Sequence, residues 1–526
     1  MSVIRRIALL FEIAIFGALI LATRCANYEN VFVGRNVYFA DADCYARMMR
    51  VRICAAHPGT IVRHHDFENF PGGTNPHTTA PLDYSILALA VLLKPFSAHA
   101  IDLAGALISP LWALFGGWLL WWWSRRMKLR YRWAMLLLYA ISPILVHGTE
   151  LGRPDHQSFL ILLVAIACCA EWSLQIASSQ GWILTSGIAW GLALWISLYE
   201  PLILLLVVGI FYAIWDWRQL TERSRRLGWI VFAALVLAAF LVEQRLPSFP
   251  LFGSNVALTN WSRTIGELAP VRFTDPIWFR WCGWVLIATP FLIWGALRRE
   301  KRFLGATGGR ALPVLMVLLT SCYLLTLWQA RWGYFFALLF AIALPVLLDP
   351  IKSRTLTFVA VMLCFLPVFK AWDERLWPNE SESARRALAR REAVEWRALA
   401  MQIKSEKTEP FLAPWWLSPS VAYWSGQPAI AGSSHESLPG IAESSRFYLT
   451  SETSFAHAIL ERKRVKWVLV YDSDRVLPNS AALLNMAISM DALGRVLDRN
   501  PSRAPEFLHL ARQNGSGKLY RVDDFP

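Results

Sequence analysis

A succession of apolar runs, separated by short basic segments, constrains this chain more than any other feature. A helix needs roughly 20 apolar residues to cross about 30 Å of hydrocarbon. Runs at 7–23, 99–123, 133–149, 158–176, 182–199, 201–216, 228–244, 277–297, 311–328, 332–349 and 354–372 approach or meet that length. Inside a bilayer every backbone N–H and C=O must bond within its own segment, so such runs are expected to be helices. The fold class expected is therefore a polytopic α-helical membrane protein with about 11 or more transmembrane helices. Composition agrees, with 56% hydrophobic residues and 27 tryptophans, well above soluble usage.

Charge sets the sidedness. Arg5-Arg6, Arg125 to Arg132, Arg218 to Arg226, Arg298 to Arg302, and Lys352 with Arg354 fall on one side when the spans alternate. Lys and Arg mark the cytoplasmic face, which places the N-terminus inside. The net charge of +14 is thereby read as topology, and no nucleic-acid partner is expected. Residues 7–22 follow two arginines like a signal peptide, but no small-residue cleavage site follows, so they are read as an uncleaved span. The opposite, extracytoplasmic side receives loop 24–98, linker 150–157, loop 245–276 and everything after about 373. In the first of these, Asp41 to Cys54 reads as a short helix and 83–93 as an interfacial segment too short to span. The tail holds a basic helix-prone stretch at 380–405 and an apolar strand, Val465 to Tyr471. The expected division is a transmembrane domain at 1–372 and a small soluble α/β domain at 373–526. The eight cysteines show no metal or redox spacing, and a disulfide among Cys25, Cys44 and Cys54 would need an oxidising compartment.

Chemistry-bearing residues gather on the extracytoplasmic side. The linker Leu151-Gly-Arg-Pro-Asp-His-Gln157 packs Arg153, Asp155, His156 and Gln157 between two apolar runs. It is either a solvated loop or one wall of a pocket at the mouth of a helical bundle. Asp41 and Asp43 stand where the chain enters the first short helix. One of them suits a helix N-cap, and as a pair they suit a hard divalent cation. Glu267 lies in the third outer loop, and Arg331 begins a late span at its outer end. That arginine either snorkels to the interface or clamps a phosphate with its planar fork of donors. His64, His65 and Asp66 read as loop structure, and the basic stretch 385–398 as a solvated face.

Outer acids and an outer arginine in this order resemble the catalytic subunit of oligosaccharyltransferases, of the bacterial and archaeal single-subunit type in the GT-C class of membrane glycosyltransferases. The likeness is carried by Asp43-Cys-Tyr-Ala-Arg, Gly152-Arg-Pro-Asp155-His-Gln157, Thr264-Ile-Gly-Glu267, Arg331, and Pro414-Trp415-Trp416-Leu417. Gly432-Ser-Ser-His and the strand ending Val-Leu-Val-Tyr471-Asp follow in the family's order. The resemblance implies a GT-C fold and a polyprenyl-linked glycan donor carried in membrane lipid. It also implies a Mg²⁺ or Mn²⁺ ion held by Asp43, Asp155 and Glu267 with Gln157 or His156. Asp43, Glu267 or Asp41 would be catalytic, Arg331 and Arg153 would bind the lipid phosphate, and Trp415 and Trp416 would line the acceptor.

The departures narrow the reading. Leu417 stands where the family has an aspartate that accepts the acceptor hydroxyl, so a standard Asn-x-Ser/Thr sequon is not expected to be read, and the acceptor (protein, lipid or polysaccharide) stays open. Gln157 replaces an acid or histidine of the second motif. Two alternatives remain: a GT-C transferase using a monosaccharide on polyprenyl monophosphate, and a transporter or flippase. The second would place ionisable groups at mid-membrane. Glu171 is the main acid within a run and lies toward the cytoplasmic end.

Overall fold

The computed structural model describes residues 3–176, 179–215, 217–245, 256–303 and 311–523. Part of the third outer loop, 246–255, therefore lies outside the described residues. The chain divides into two compact units. One comprises residues 1–29, 105–243 and 267–379, and the other 30–104, 244–266 and 380–526.

The first unit is helical, and each apolar run of the sequence forms helix. Five helices are long and apolar enough to cross a membrane, or six with the bent pair Arg354–Cys364 and Leu366–Leu376, counted among the described residues. Other runs form shorter or interrupted helices, and in two of them the break falls at a proline. At Ser142-Pro143 the proline opens a new helix, Pro143–His147, directly after Arg132–Ile141. Proline lacks the N–H that would continue the ladder, and its fixed φ suits a first helical position. The Ser142 hydroxyl fills the break by donating to the Trp281 carbonyl at 2.8 Å. In the bent pair, Pro367 plays the same part at a 47° bend.

Helix Gly333–Leu348 is the centre of this unit, with nearly every side chain buried. A helix apolar on all sides is held by neighbours all round, which is the condition of a bundle's core. At the other extreme, only 11% of the apolar window in Arg223–Glu243 is buried within the protein. It is held to helix Gln180–Ile196 by a glycine seam. A methyl group on Gly187 would strike the Gly228 carbonyl, and one on Gly228 would lie 2.7 Å from the Ile183 carbonyl. Such backbone-to-backbone approach is how helices gain contact where lipid removes the hydrophobic incentive to associate. Beside this seam, buried Glu171 pairs with Arg225 at 3.0 Å and accepts from Tyr212 at 2.8 Å.

The second unit is α/β. Strands Phe411–Leu412, Trp467–Val470, Gly517–Val522 and Leu508–Asn514 form one sheet in that spatial order. The first pair is parallel and the others antiparallel, with Val468 opposite Tyr520. Val468, Leu469 and Val470 are all buried, as a continuous apolar run in a covered strand requires. Helices Ser418–Ser425, Leu438–Leu449, Thr453–Arg462 and Ser473–Leu484 supply Val421, Phe447, Leu460 and Leu477 to the same core. Helix Glu380–Ala400 carries paired arginines and glutamates along its exposed length and buries Trp396, Leu399 and Ala400 at its end. The short helix expected after Asp41 runs from Ala42 to Ala56, and the interfacial segment is helix Ala80–Leu93. All eight cysteines are free, including Cys25, Cys44 and Cys54.

Candidate active site

In the first unit, the linker that joins His147 to Gln157 is pinned through its backbone. Leu151 N–H donates to the Arg24 carbonyl and Gly152 N–H to Ala106, both at 2.9 Å. Gly152 has φ +75°, a conformation that glycine takes without steric cost. Ser109 hydroxyl, fully buried, donates to the Arg153 carbonyl. The linker is therefore a fixed, largely buried segment rather than a solvated loop.

Asp155 Oδ1 accepts from the His156 backbone N–H at 2.7 Å and faces His156 Nδ1 at 2.6 Å. Gln157 is 1% exposed, and neither its carbonyl oxygen nor its amide nitrogen has a hydrogen-bond partner. An orphaned buried amide costs about 1–3 kcal/mol unless something binds it. Arg153 is buried between Glu150, 3.4 Å from its Nε, and His147 Nε2, 3.2 Å from its Nη2. Arg375 pairs with the other Glu150 oxygen at 2.9 Å. Arg153 thus braces the linker in this structure.

Glu267 is held by the late span. Tyr334 hydroxyl donates to Glu267 Oε1 at 2.9 Å and meets His147 Nδ1 at 2.8 Å. The Ala330 N–H donates to the Ala269 carbonyl at 2.8 Å, which ties the two segments at the backbone. Next to this tie, Arg331 Nη2 lies 2.6 Å from Glu200 Oε1. Glu200 is fully buried, and its other oxygen accepts from Ser197 at 2.7 Å. Tyr199 lies under the Arg331 guanidinium at 5.6 Å. The charge of Arg331 is coupled to Glu200, Glu267 and Asp155 together, and Glu200 also feels His156. Of the expected residues, Asp155 and Glu267 thus both act electrostatically on Arg331, whose direct partner is Glu200.

Glu200 was absent from the expected set. Its signal is present: Glu200 is the whole connection between the runs 182–199 and 201–216. A connection of one residue is easily passed over as a loop.

The second unit carries the other candidates. Asp41 caps helix Ala42–Ala56, its Oδ1 accepting from Cys44 N–H at 3.0 Å. Asp43 stands exposed in the first turn of that helix. Arg47 and Arg50 both pair with buried Asp83, at 3.0 and 3.4 Å. Glu68 is 2% exposed, and Ser437 hydroxyl lies 3.4 Å from its Oε2. Burial pushes the Glu68 carboxyl up to about 7, with Arg50 opposing and Asp43 adding to the rise. His64 bonds Asn75 at 2.9 Å, and His65 stacks on Phe67 at 3.7 Å. Burial, then the Arg50 charge, brings His65 down to about 3, so it is neutral. These bonds make the His64–Asp66 triplet loop structure. Trp415 Nε1 donates to Asn479 at 3.0 Å and Trp416 Nε1 to Tyr471 at 3.3 Å. Leu417 packs against the apolar core beside Trp416.

No family model and no curated protein matches the chain. Solved structures do. The archaeal oligosaccharyltransferase AglB from Archaeoglobus fulgidus, in complex with an inhibitory peptide and a dolichol-phosphate, matches with TM-score 0.65 and 14% identity, covering 89% of this chain and 70% of that one. The oligosaccharyltransferase of the same organism, in complex with Zn and sulfate, matches with TM-score 0.62 and 13% identity over 89% and 70%. ArnT from Cupriavidus metallidurans bound to undecaprenyl phosphate matches with TM-score 0.54 and 14% identity over 96% and 97%. At low sequence identity, the chain has the fold of GT-C membrane glycosyltransferases.

Proposed function

We propose that this chain is a membrane glycosyltransferase that moves a sugar or oligosaccharide from a polyprenyl phosphate or diphosphate carrier to an acceptor on the extracytoplasmic side. The observation that supports this reading is Arg331 paired with buried Glu200 and held in the field of Asp155 and Glu267, residues from separate stretches of the chain. Departure of a sugar leaves negative charge on the carrier's phosphate. A fixed guanidinium there stabilises charge that develops in the transition state, where electrostatics accelerates a reaction most. Arg331 has its Nε buried without a partner, so it retains a donor for a phosphate oxygen beyond its pair with Glu200.

The donor set suits a hard dication such as Mg²⁺ or Mn²⁺. Asp155 offers a carboxylate, and the orphaned Gln157 carbonyl lies two residues on. Asp155, with Gln157 or His156 and with Glu267, would hold the ion, which when bound supplies Lewis-acid stabilisation of the leaving phosphate. Tyr334 fixes the orientation of Glu267. We assign Asp43 the role of acid or base toward the acceptor, and Asp41 that of its helix cap. Trp415 and Trp416 are proposed to line the acceptor, and Leu417 argues against reading of an Asn-x-Ser/Thr sequon because it has no acceptor atom for the hydroxyl. We also retain eleven spans with a cytoplasmic N-terminus, from the alternation of basic segments.

A second reading, a single sugar carried on polyprenyl monophosphate, is favoured by the near-complete mutual coverage with ArnT. The two readings separate on one experiment. Purified protein receives polyprenyl monophosphate sugars and polyprenyl diphosphate oligosaccharides, with and without Mn²⁺, beside Asp155→Ala and Arg331→Ala. Turnover of one donor class, abolished in both variants, is expected. Wild-type turnover by both variants would refute the site.

A further inference from the structure

Within the second unit lies a cluster that the proposed reaction does not use. His77 ends the turn-rich part of the first outer loop, and His435-Glu436 opens a short helical turn after Gly432-Ser-Ser. The His77 backbone N–H and ring Nδ1 both bond Glu436 Oε1, at 2.8 and 2.9 Å. His435 Nδ1 lies 3.4 Å from Glu436 Oε2, and the two imidazole rings are 5.2 Å apart between centroids. One ligand atom from each of the three residues lies within 4.8 Å of the others.

Two atoms here are buried without a hydrogen-bond partner: His435 Nε2 and Glu436 Oε2. Buried polar atoms are normally satisfied, and two orphans of metal-ligating type in one cluster mark a missing partner. The Glu436 side chain is 11% exposed and that of His435 20%. The His77 side chain is 44% exposed, which leaves an open side.

We propose that His77, His435 and Glu436 bind a borderline transition-metal dication of the Zn²⁺ type, which ties the first outer loop to residues 435–436. Two imidazoles and one carboxylate make a set that such ions favour, with ligand distances of about 2.0–2.2 Å. A harder Mg²⁺ or Ca²⁺ site would instead be rich in oxygen donors. Three protein ligands leave a fourth position of a tetrahedron for water on the exposed His77 side. The side chains close inward by about 1 Å or more to meet those distances. No bond is made or broken other than coordination, and none of the residues assigned to glycosyl transfer takes part.

The test uses the full-length protein in detergent, stripped with EDTA and titrated with Co²⁺, whose visible absorption reports tetrahedral nitrogen and oxygen ligation, and then with Zn²⁺. One equivalent is expected to bind with tetrahedral bands, distinct from any ion at the Asp155 site, with Zn²⁺ displacing Co²⁺ and bleaching the bands. His435→Gln and His77→Gln are each expected to weaken binding at least tenfold, while His64→Gln and Asp155→Ala retain it. An absence of tetrahedral bands at millimolar Co²⁺ would overturn the proposal, as would undiminished binding in both histidine variants. Circular dichroism of each variant separates loss of a ligand from loss of the fold. Because Asp155→Ala preserves this site, a failed glycosyl-transfer assay and a failed metal titration remain distinguishable.

Discussion

Arg331→Ala isolates the one ion pair in the candidate site that is closed off from water on its acidic side. Glu200 has no exposed surface, whereas the Arg331 side chain retains 20%. Removing the arginine strands a carboxylate whose remaining partner is Ser197, 2.7 Å away. Breaking a buried pair from one side costs about 3–5 kcal/mol, and the partial exposure of Arg331 places this case near 3. At about 2 °C per kcal/mol for a large domain, the midpoint of thermal unfolding falls by roughly 6 °C. Glu200→Gln in the same background removes the stranded charge and keeps a polar contact with Ser197, so the double variant recovers more than half of that loss. Tryptophan fluorescence during thermal unfolding in detergent reads both shifts without any knowledge of the substrate. If Arg331→Ala unfolded at the wild-type temperature, or if the double variant were no better than the single one, the closed pair would not exist in solution. Donor turnover should be lost in both, because neither restores the guanidinium.

Tyr334→Phe deletes the hydroxyl between Glu267 and His147 and is expected to lower kcat about 10-fold or more with little change in KM, as a hydrogen bond to a charged group is worth about 1.5–3 kcal/mol; a change confined to KM would show that Tyr334 does not position Glu267. Asp41→Ala should cost about 1 kcal/mol of stability as a lost N-cap and leave turnover intact, whereas Asp43→Asn should abolish turnover and leave stability unchanged; the reverse pattern would exchange their roles. Glu68 has a native carboxyl near 7 against an ordinary value of 4.5, so the folded chain holds a proton that the unfolded chain releases between those pH values. Stability therefore falls as pH rises from about 4.5 to about 7, by up to roughly 3 kcal/mol, and Glu68→Gln should flatten that part of a denaturation profile; an unchanged slope would place the titration elsewhere.

The helical class was legible because bilayer crossing imposes a run length that few other folds demand, and the runs all became helix. What the runs did not disclose was interruption. Ser142-Pro143 and Pro367 sit inside apolar stretches, and hydropathy averages over the missing N–H that breaks them. At the site, Asp155, Glu267 and Arg331 stood out as polar residues at the edges of apolar runs. Glu200 did not, since its partner lies 131 positions along the chain and its burial is a property of packing alone. His77 and Glu436 escaped for the same reason: their meeting is a long-range contact, whereas the adjacent His64 and His65, read as loop structure, are engaged with Asn75 and Phe67.

The bare seam between Gly187 and Gly228 changes how substitutions along these helices should be interpreted. Alanine ordinarily serves as the neutral probe of a helix, yet at these positions its methyl group is a wedge. It would prise helix Arg226–Glu243 from its neighbour and unseat Arg225 from Glu171. A loss of activity after such a change would report a displaced helix rather than a missing functional group.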